Sequence, residues 1–292
     1  MIWIPITIAA AAFQSARNAA QRSVMGEAGP WGATLVRFLF GLPFAALFLA
    51  VAWLLTPDRQ WQAGPWFWTS CAAGAGLQIL ATAALLTAMH RSSFALGTAM
   101  QQSGLPFAVL WGALFFGDDI GPVVGLGAVL AAVGLAILSW PHRAQDVRPG
   151  AAVYGLGSGA IFALSANFFR QASLTLDPAH PAFSALASVL VVQAIQTLGL
   201  GAVLLVLRPR VVAAVIAAWR RSLGAGFFGA AASGLWFAAM ALVPVGQVRA
   251  VGVVEMPIAA LVGRRLFKER LSLIQLVCGA ITGLGVVLAA LG

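Results

Sequence analysis

Apolar stretches long enough to cross a bilayer follow one another along this chain with almost nothing between them. They run approximately over residues 2–22, 31–55, 64–88, 94–116, 121–140, 151–171, 182–207, 222–242, 245–267 and 271–291. A spanning helix needs about 20 mostly apolar residues to cover roughly 30 Å of hydrocarbon. The separators are short: Gly29-Pro30, Pro57-Asp58, Arg91-Ser92-Ser93, Gly117-Asp118-Asp119, Pro141-His142-Arg143, Asp177-Pro178, Arg208-Pro209-Arg210 and Pro244. Barrel strands would instead alternate in polarity over roughly ten residues. The sequence therefore predicts an all-α membrane protein of ten transmembrane helices, with turns so short that neighbouring helices run antiparallel.

Only 9% of the residues are charged and 61% are hydrophobic, whereas a soluble domain carries about 25% charged residues. The net charge of +9 raises nucleic acid as a partner. It is excluded because the basic residues sit in small groups between apolar stretches, not along one face with interleaved aromatics. The start, Met1-Ile2-Trp3-Ile4-Pro5, lacks a basic region and leads into Gln14, Arg17 and Asn18, so it reads as a first span and not as a cleavable signal. Cys71 and Cys278 lie in separate apolar stretches, and His90, His142 and His180 are isolated. No metal-ligand spacing arises among them, and no cofactor is expected.

An internal repeat organises the chain. A shift of 151 superimposes Pro106 on Pro257, Gly112 on Gly263, Phe116 on Phe267, Asp118 on Glu269 and Gly134 on Gly285. Near the start of each half the shift is 149, placing Phe13 on Phe162 and Asn18 on Asn167. The halves are residues 1–143 and 144–292, with five spans each. An odd number of spans sends the second half into the membrane the opposite way. The expectation is two inverted five-helix repeats, an architecture of secondary transporters whose binding site lies at the repeat interface near the midplane.

The recurring pattern, Pro106…Gly112…Phe116-Gly117-Asp118 and Pro257…Gly263…Phe267-Lys268-Glu269, each followed by a Gly-rich closing helix, resembles the EamA-type repeat of the drug/metabolite transporter superfamily. The resemblance covers essentially the whole chain. It implies a ten-helix bundle that moves small solutes across a membrane, often outward and often coupled to protons. One departure is Gly117-Asp118-Asp119, where that family more often has Gly-Glu.

Charge predicts orientation. Twelve basic residues, Arg22, Arg91, Arg143, Arg148, Arg208, Arg210, Arg220, Arg221, Arg264, Arg265, Lys268 and Arg270, adjoin loops after odd-numbered spans; three, Arg59, Arg170 and Arg249, fall on the other side. Short Lys/Arg-rich loops stay cytoplasmic, which puts both termini outside the cytoplasm. Many relatives by resemblance have both termini inside. Sixteen arginines beside a single lysine point to a GC-rich bacterial source and so to the inner (plasma) membrane.

Ionisable residues at membrane depth are costly and face a cavity or a partner. Glu255 sits well inside its span, directly before Met256-Pro257, and the proline removes a backbone donor. The carboxylate reads either as a proton-titrating or ammonium-binding group or as half of a structural ion pair. Arg37 is the expected partner; it could equally clamp a substrate carboxylate or snorkel to the interface. Gln14, Arg17, Asn18 and Gln21 recur at i, i+3, i+4 and i+7, one polar stripe that faces a cavity or other helices. Gln101, with Gln102 and Ser103, stands just before the helix-breaking Pro106, in the region that Gly252 to Val254 occupies before Pro257 in the second half. Gln78, Asn167, Gln193, Gln196 and Trp236 are weaker candidates.

Three motifs are declined. Gly224-Ala225-Gly226-Phe227-Phe228-Gly229 matches GxGxxG but follows no strand, and close helix packing explains it better. The GxxxG pairs Gly121…Gly125, Gly155…Gly159 and Gly279…Gly283 read as helix contacts. Asp118-Asp119 reads as a solvated turn, not a metal site. The expected function is a secondary active transporter, an exporter of a small metabolite such as an amino acid, with protons as the coupling ion. Its partners would be that substrate and the lipid bilayer, and it would act as a monomer or a homodimer. The alternatives are a membrane-embedded enzyme acting on lipid and a non-transporting scaffold. The enzyme is disfavoured because no HxxxH pair, paired carboxylates or Ser/His arrangement is present.

Overall fold

The computed structural model describes residues 2–117, 121–139 and 150–268, together with 273, 277, 280, 281 and 283–285. The tenth expected span (271–291), Asp118-Asp119, Glu269, Cys278 and the junction between the halves at 143/144 lie wholly or mostly outside these residues. Among the described residues the protein is all-helical, and six helices are long and apolar enough to cross a membrane: Ala28–Leu55, Pro65–Arg91, Ala151–Leu176, Pro181–Leu207, Trp219–Leu242 and Val245–Leu266. The protein is a multi-pass helical membrane protein.

Among the described residues the helical segments do not map one to one onto the expected stretches. Eleven helices lie among those residues: α1 (Trp3–Leu55), α2 (Pro65–Arg91), α3 (Phe94–Gln101), α4 (Gly104–Phe116), α5 (Pro122–Ser139), α6 (Ala151–Leu176), α7 (Pro181–Leu207), α8 (Pro209–Ala217), α9 (Trp219–Leu242), α10 (Val245–Gly252) and α11 (Glu255–Leu266). The first two expected spans form one 53-residue helix broken at Gly29 alone, where φ is 66° and ψ 178°. Only glycine occupies that region readily, and Pro30 then starts the second arm. Gln21 donates its side-chain amide to the Ala33 carbonyl at 2.8 Å. In a straight helix those residues would lie about 18 Å apart, so the arms fold back on each other. Phe13 and Phe44, one on each arm, both reach the Phe227 ring. The separator Gly29-Pro30 is thus a one-residue hinge and not a loop.

The fourth and ninth expected spans are each broken in two, and the breaks fall at related positions. Phe94 and Val245 start the first segments and Gly104 and Glu255 the second, all at the shift of 151. Proline causes both. Pro106 and Pro257 lack the N–H that would bond residues 102 and 253. Those carbonyls accept instead from Leu105 at 3.0 Å and Met256 at 2.8 Å, tight turns one residue shorter than an α-helical bond. The helices also end alike, with left-handed residues Gly117 (φ 72°) and Lys268 (φ 55°). The two broken helices pack crosswise, α3 against α11 and α4 against α10. They therefore run antiparallel.

Small residues let the helices approach. A side chain on Gly226 would strike the Phe40 backbone, which seats α9 on α1. On α6, Gly155 faces Met100 and Gly159 lies against Ser103, the Gln101 carbonyl and the Gly104 amide. Ser103 and Trp111 donate to the α6 carbonyls of Leu156 and Ala160. Gly226 of the GxGxxG match and the pair Gly155…Gly159 are thus packing positions, whereas Gly121 and Gly224 have nothing within 4 Å, and α6 clasps the first break.

The two ends of the bundle differ. Arg22 stacks over the rings of Phe94 and Phe267, and Gly32 meets Val211 and Val215 of the short amphipathic α8. Arg91 and the exposed Arg208, Arg210 and Arg220 gather at that same end. At the other end Trp53, Trp61, Trp66 and Trp68 are exposed near Arg59, an aromatic girdle of the kind that marks a membrane interface. Outside the spans there, Asp177 closes two loops together. Its carboxylate accepts from the Gln60 backbone N–H at 2.8 Å and pairs with the His180 ring at 3.0 Å.

Candidate functional site

The folded-back α1 brings its whole polar stripe inward. Gln14, Arg17, Asn18 and Gln21 are all at most 5% exposed, so the stripe faces protein and not lipid. Facing it is the second break. Glu255 is the first residue of α11, where the helix N-terminus favours a negative charge.

Three amides hold the Glu255 carboxylate. Gln14 donates at 2.7 Å and Gln102 at 3.3 Å to Oε2, while Asn18 donates at 3.3 Å to Oε1. The side-chain carbonyl of Asn18 in turn accepts from Arg17 Nη2 at 2.6 Å and Nε at 3.1 Å. Among the described residues no arginine reaches Glu255 at ion-pair distance; Arg17 and Arg249 act on it from further away. The expectation that Arg37 pairs with Glu255 is corrected. Arg37 is buried, donating to the hydroxyls of Thr82 at 3.2 Å and Ser233 at 3.1 Å. Its position on the second arm, behind Gly29, points it at α2 and α9, and its burial rules out snorkelling. Gly229 makes room for it: an added Cβ there would sit 3.0 Å from Arg37 Cγ and 3.6 Å from Arg17 Cδ.

Of the candidates Gln101 and Gln102, it is the second that meets Glu255. Gln102, in the turn at the break, reaches Glu255, whereas Gln101 ends α3 with its carbonyl oxygen buried and unpartnered. A one-residue difference at a helix end rotates a side chain by about 100°, which spacing alone does not resolve. Pro106 and Pro257 stand beside the breaks that they cause.

The polar groups line a partly open cavity, with about 370 Å³ of atom-free space that includes open solvent. Arg17 and Arg37 contribute from α1, Gln78 from α2, Phe162 and Phe169 from α6, Trp236 and Phe237 from α9, and Arg249 from α10. Arg249 is the residue that sequence reasoning misplaced. Counted with the loops, it lies within the broken helix, with its guanidinium 5.2 Å from the centre of the Trp236 ring. Its signal was available: it stands five residues past Pro244, inside an apolar run.

Fold and site together define a multi-pass helical membrane protein with an arginine-rich cavity lined by α1, α2, α6 and α9 and by Arg249 of the second broken helix. No family model matches the sequence, and no curated protein matches it. A solved structure described only as the crystal structure of a protein is similar over 97% of this chain and 95% of that chain, with a TM-score of 0.57 and 16% identity. At that identity the likeness is one of fold alone.

Proposed function

We propose that this protein is a secondary active transporter of the drug/metabolite transporter type, with ten transmembrane helices as two inverted five-helix repeats (1–143 and 144–292). In this reading it exports a small metabolite across a bacterial inner membrane. The observation that carries the reading is the crossing of the two proline-broken helices, 151 positions apart and antiparallel, with Glu255 at the second break beside a polar cavity. Paired discontinuous helices around a midplane site are the form such sites take in transporters built from inverted repeats.

Alternating access would come from one half rocking on the other. Glu255 is the proton-coupling group, because protonation would convert an acceptor of three amide bonds into a partial donor. That change would loosen its ties to Gln14, Asn18 and Gln102. Arg17, Arg37 and Arg249 bind the substrate. The basic end is the cytoplasmic one, so both termini lie outside the cytoplasm. A membrane-embedded lipid enzyme finds less support, since among the described residues Glu255 is the one carboxylate at the cavity. Reconstitution into proteoliposomes tests the proposal. Uptake of labelled amino acids and organic acids should rise with an imposed pH gradient, and no flux above protein-free vesicles for any of them would refute it.

A further inference from the structure

We infer that the cavity takes an organic anion with a flat apolar body and no ammonium group, not a zwitterionic amino acid or an amine. The inference rests on the transporter reading only in calling that ligand cargo; the binding chemistry stands on the cavity itself.

Charge comes first. Arg17, Arg37 and Arg249 face the cavity, and Glu255 beside it is their one counter-charge among the described residues. Two positive charges are left over. A buried charge without a counter-ion is expensive, and an anion in the cavity supplies one.

Hydrogen bonding gives the same sign independently. Among the residues lining the cavity, the buried polar atoms without a partner are Arg37 Nε, Arg249 Nε and Trp236 Nε1. All three are donors. Of the acceptors nearby, Glu255 takes three amides, Ser233 takes Arg37, and the Gln78 oxygen takes Gln196 at 2.8 Å, while the Gln101 and Gln196 side-chain oxygens, outside the lining, have no partner. An ammonium group brings three donors and would meet, at Glu255, Ser233 and Gln78, acceptors that already hold a bond. A carboxylate, phosphonate or sulfonate brings acceptors alone and would meet free donors.

The remaining wall sets the shape. Phe169 and Phe237 stack with centroids 4.4 Å apart, and Phe162 and the Trp236 ring, over which the Arg249 guanidinium lies, add apolar wall. A planar body fits against such rings at a favourable offset.

The test uses the full-length protein in detergent at neutral pH with three probes sharing one phenyl group and chain: 3-phenylpropanoate, phenylalanine and phenethylamine. Calorimetric titration should give 3-phenylpropanoate a Kd at least about tenfold below that of phenethylamine, a difference of about 1.4 kcal/mol, with phenylalanine between them. Arg37→Lys and Arg249→Gln should each weaken the anion by about tenfold, and Arg59→Gln at the distant girdle should not. The wild-type ranking needs no variant to fold. Tighter or equal binding of phenethylamine, or no saturable binding of 3-phenylpropanoate, overturns the inference. Anion binding with no proteoliposome flux would uphold it while removing the transporter reading. Gradient-driven flux of phenethylamine without anion binding would do the reverse.

Discussion

Gln14 on the first helix donates its amide to Glu255 at 2.7 Å, joining residues 241 positions apart. The bond ties the arm before Gly29 to the start of α11, so the buried end of a broken helix is held by a side chain from the other half. Asn18 and Gln102 complete the set.

Removing the carboxylate therefore strands three amides. Glu255→Ala should destabilise the protein by several kcal/mol, at about 1–3 kcal/mol for each donor left unsatisfied, and lower its melting point in detergent more than Gln14→Ala does. Glu255→Gln keeps the shape but cannot take up a proton. It should fold yet lose at least about tenfold in gradient-driven flux, the typical scale for a required acid–base group being larger still. Flux with an unchanged response to pH would remove Glu255 from coupling.

Gly159 and Gly157 make opposite predictions two residues apart on α6. A Cβ on Gly159 would lie 2.6 Å from the Gln101 carbonyl and 2.7 Å from the Gly104 amide, both backbone atoms of the first break. Gly159→Ala should cost about 1–3 kcal/mol through overpacking. Gly157 has nothing within 4 Å, so Gly157→Ala should gain up to about 1 kcal/mol from helix propensity. Thermal unfolding of both variants reads the contrast.

The left-handed residues that end α4 and α11 are not equally suited to the task. Glycine holds that conformation without strain and lysine does not. Lys268→Gly should raise stability by about 0.5–1 kcal/mol, and Gly117→Ala should lower it by about 1 kcal/mol. A fall in melting point for Lys268→Gly would contradict the repeat of this cap.

Asp177 gives a pH dependence outside the spans. Burial raises its carboxyl, but the Gln60 amide and the hydrogen bond and charge of His180 outweigh it and hold the group below its ordinary 3.8. The folded form thus releases this proton more readily than the unfolded chain. The stabilisation is complete well above 3.8 and disappears as the pH falls through the lower folded value. Asp177→Asn should be less stable than wild type at neutral pH, and the gap should close in acid. Melting curves from neutral pH downward measure it; a gap that widens in acid would reverse the assignment.

Much of this was legible in the sequence because lipid enforces simple rules. Apolar length gave the helices, and Pro106 and Pro257 marked both breaks, since a missing N–H acts locally wherever it falls. The periodic stripe from Gln14 to Gln21 announced its burial. What spacing could not convey was rotation and partnership. Whether Gln101 or Gln102 faces Glu255 depends on where a helix ends to within one residue. Where Arg37 points depends on the angle at Gly29, and Arg249 passed for a loop charge because proline marks a helix start as readily as a loop.

The chief neighbour of α1 is α9, and Ser233, which receives Arg37, comes 196 residues later. A ribosome working from the N-terminus delivers Arg17 and Arg37 long before the groups that will satisfy them exist. The nascent hairpin cannot settle in hydrocarbon on its own terms and must stay hydrated, or shielded by the insertion machinery, until α9 emerges. Its two arginines thus make synthesis as far as α9 a condition for burying the chain's beginning.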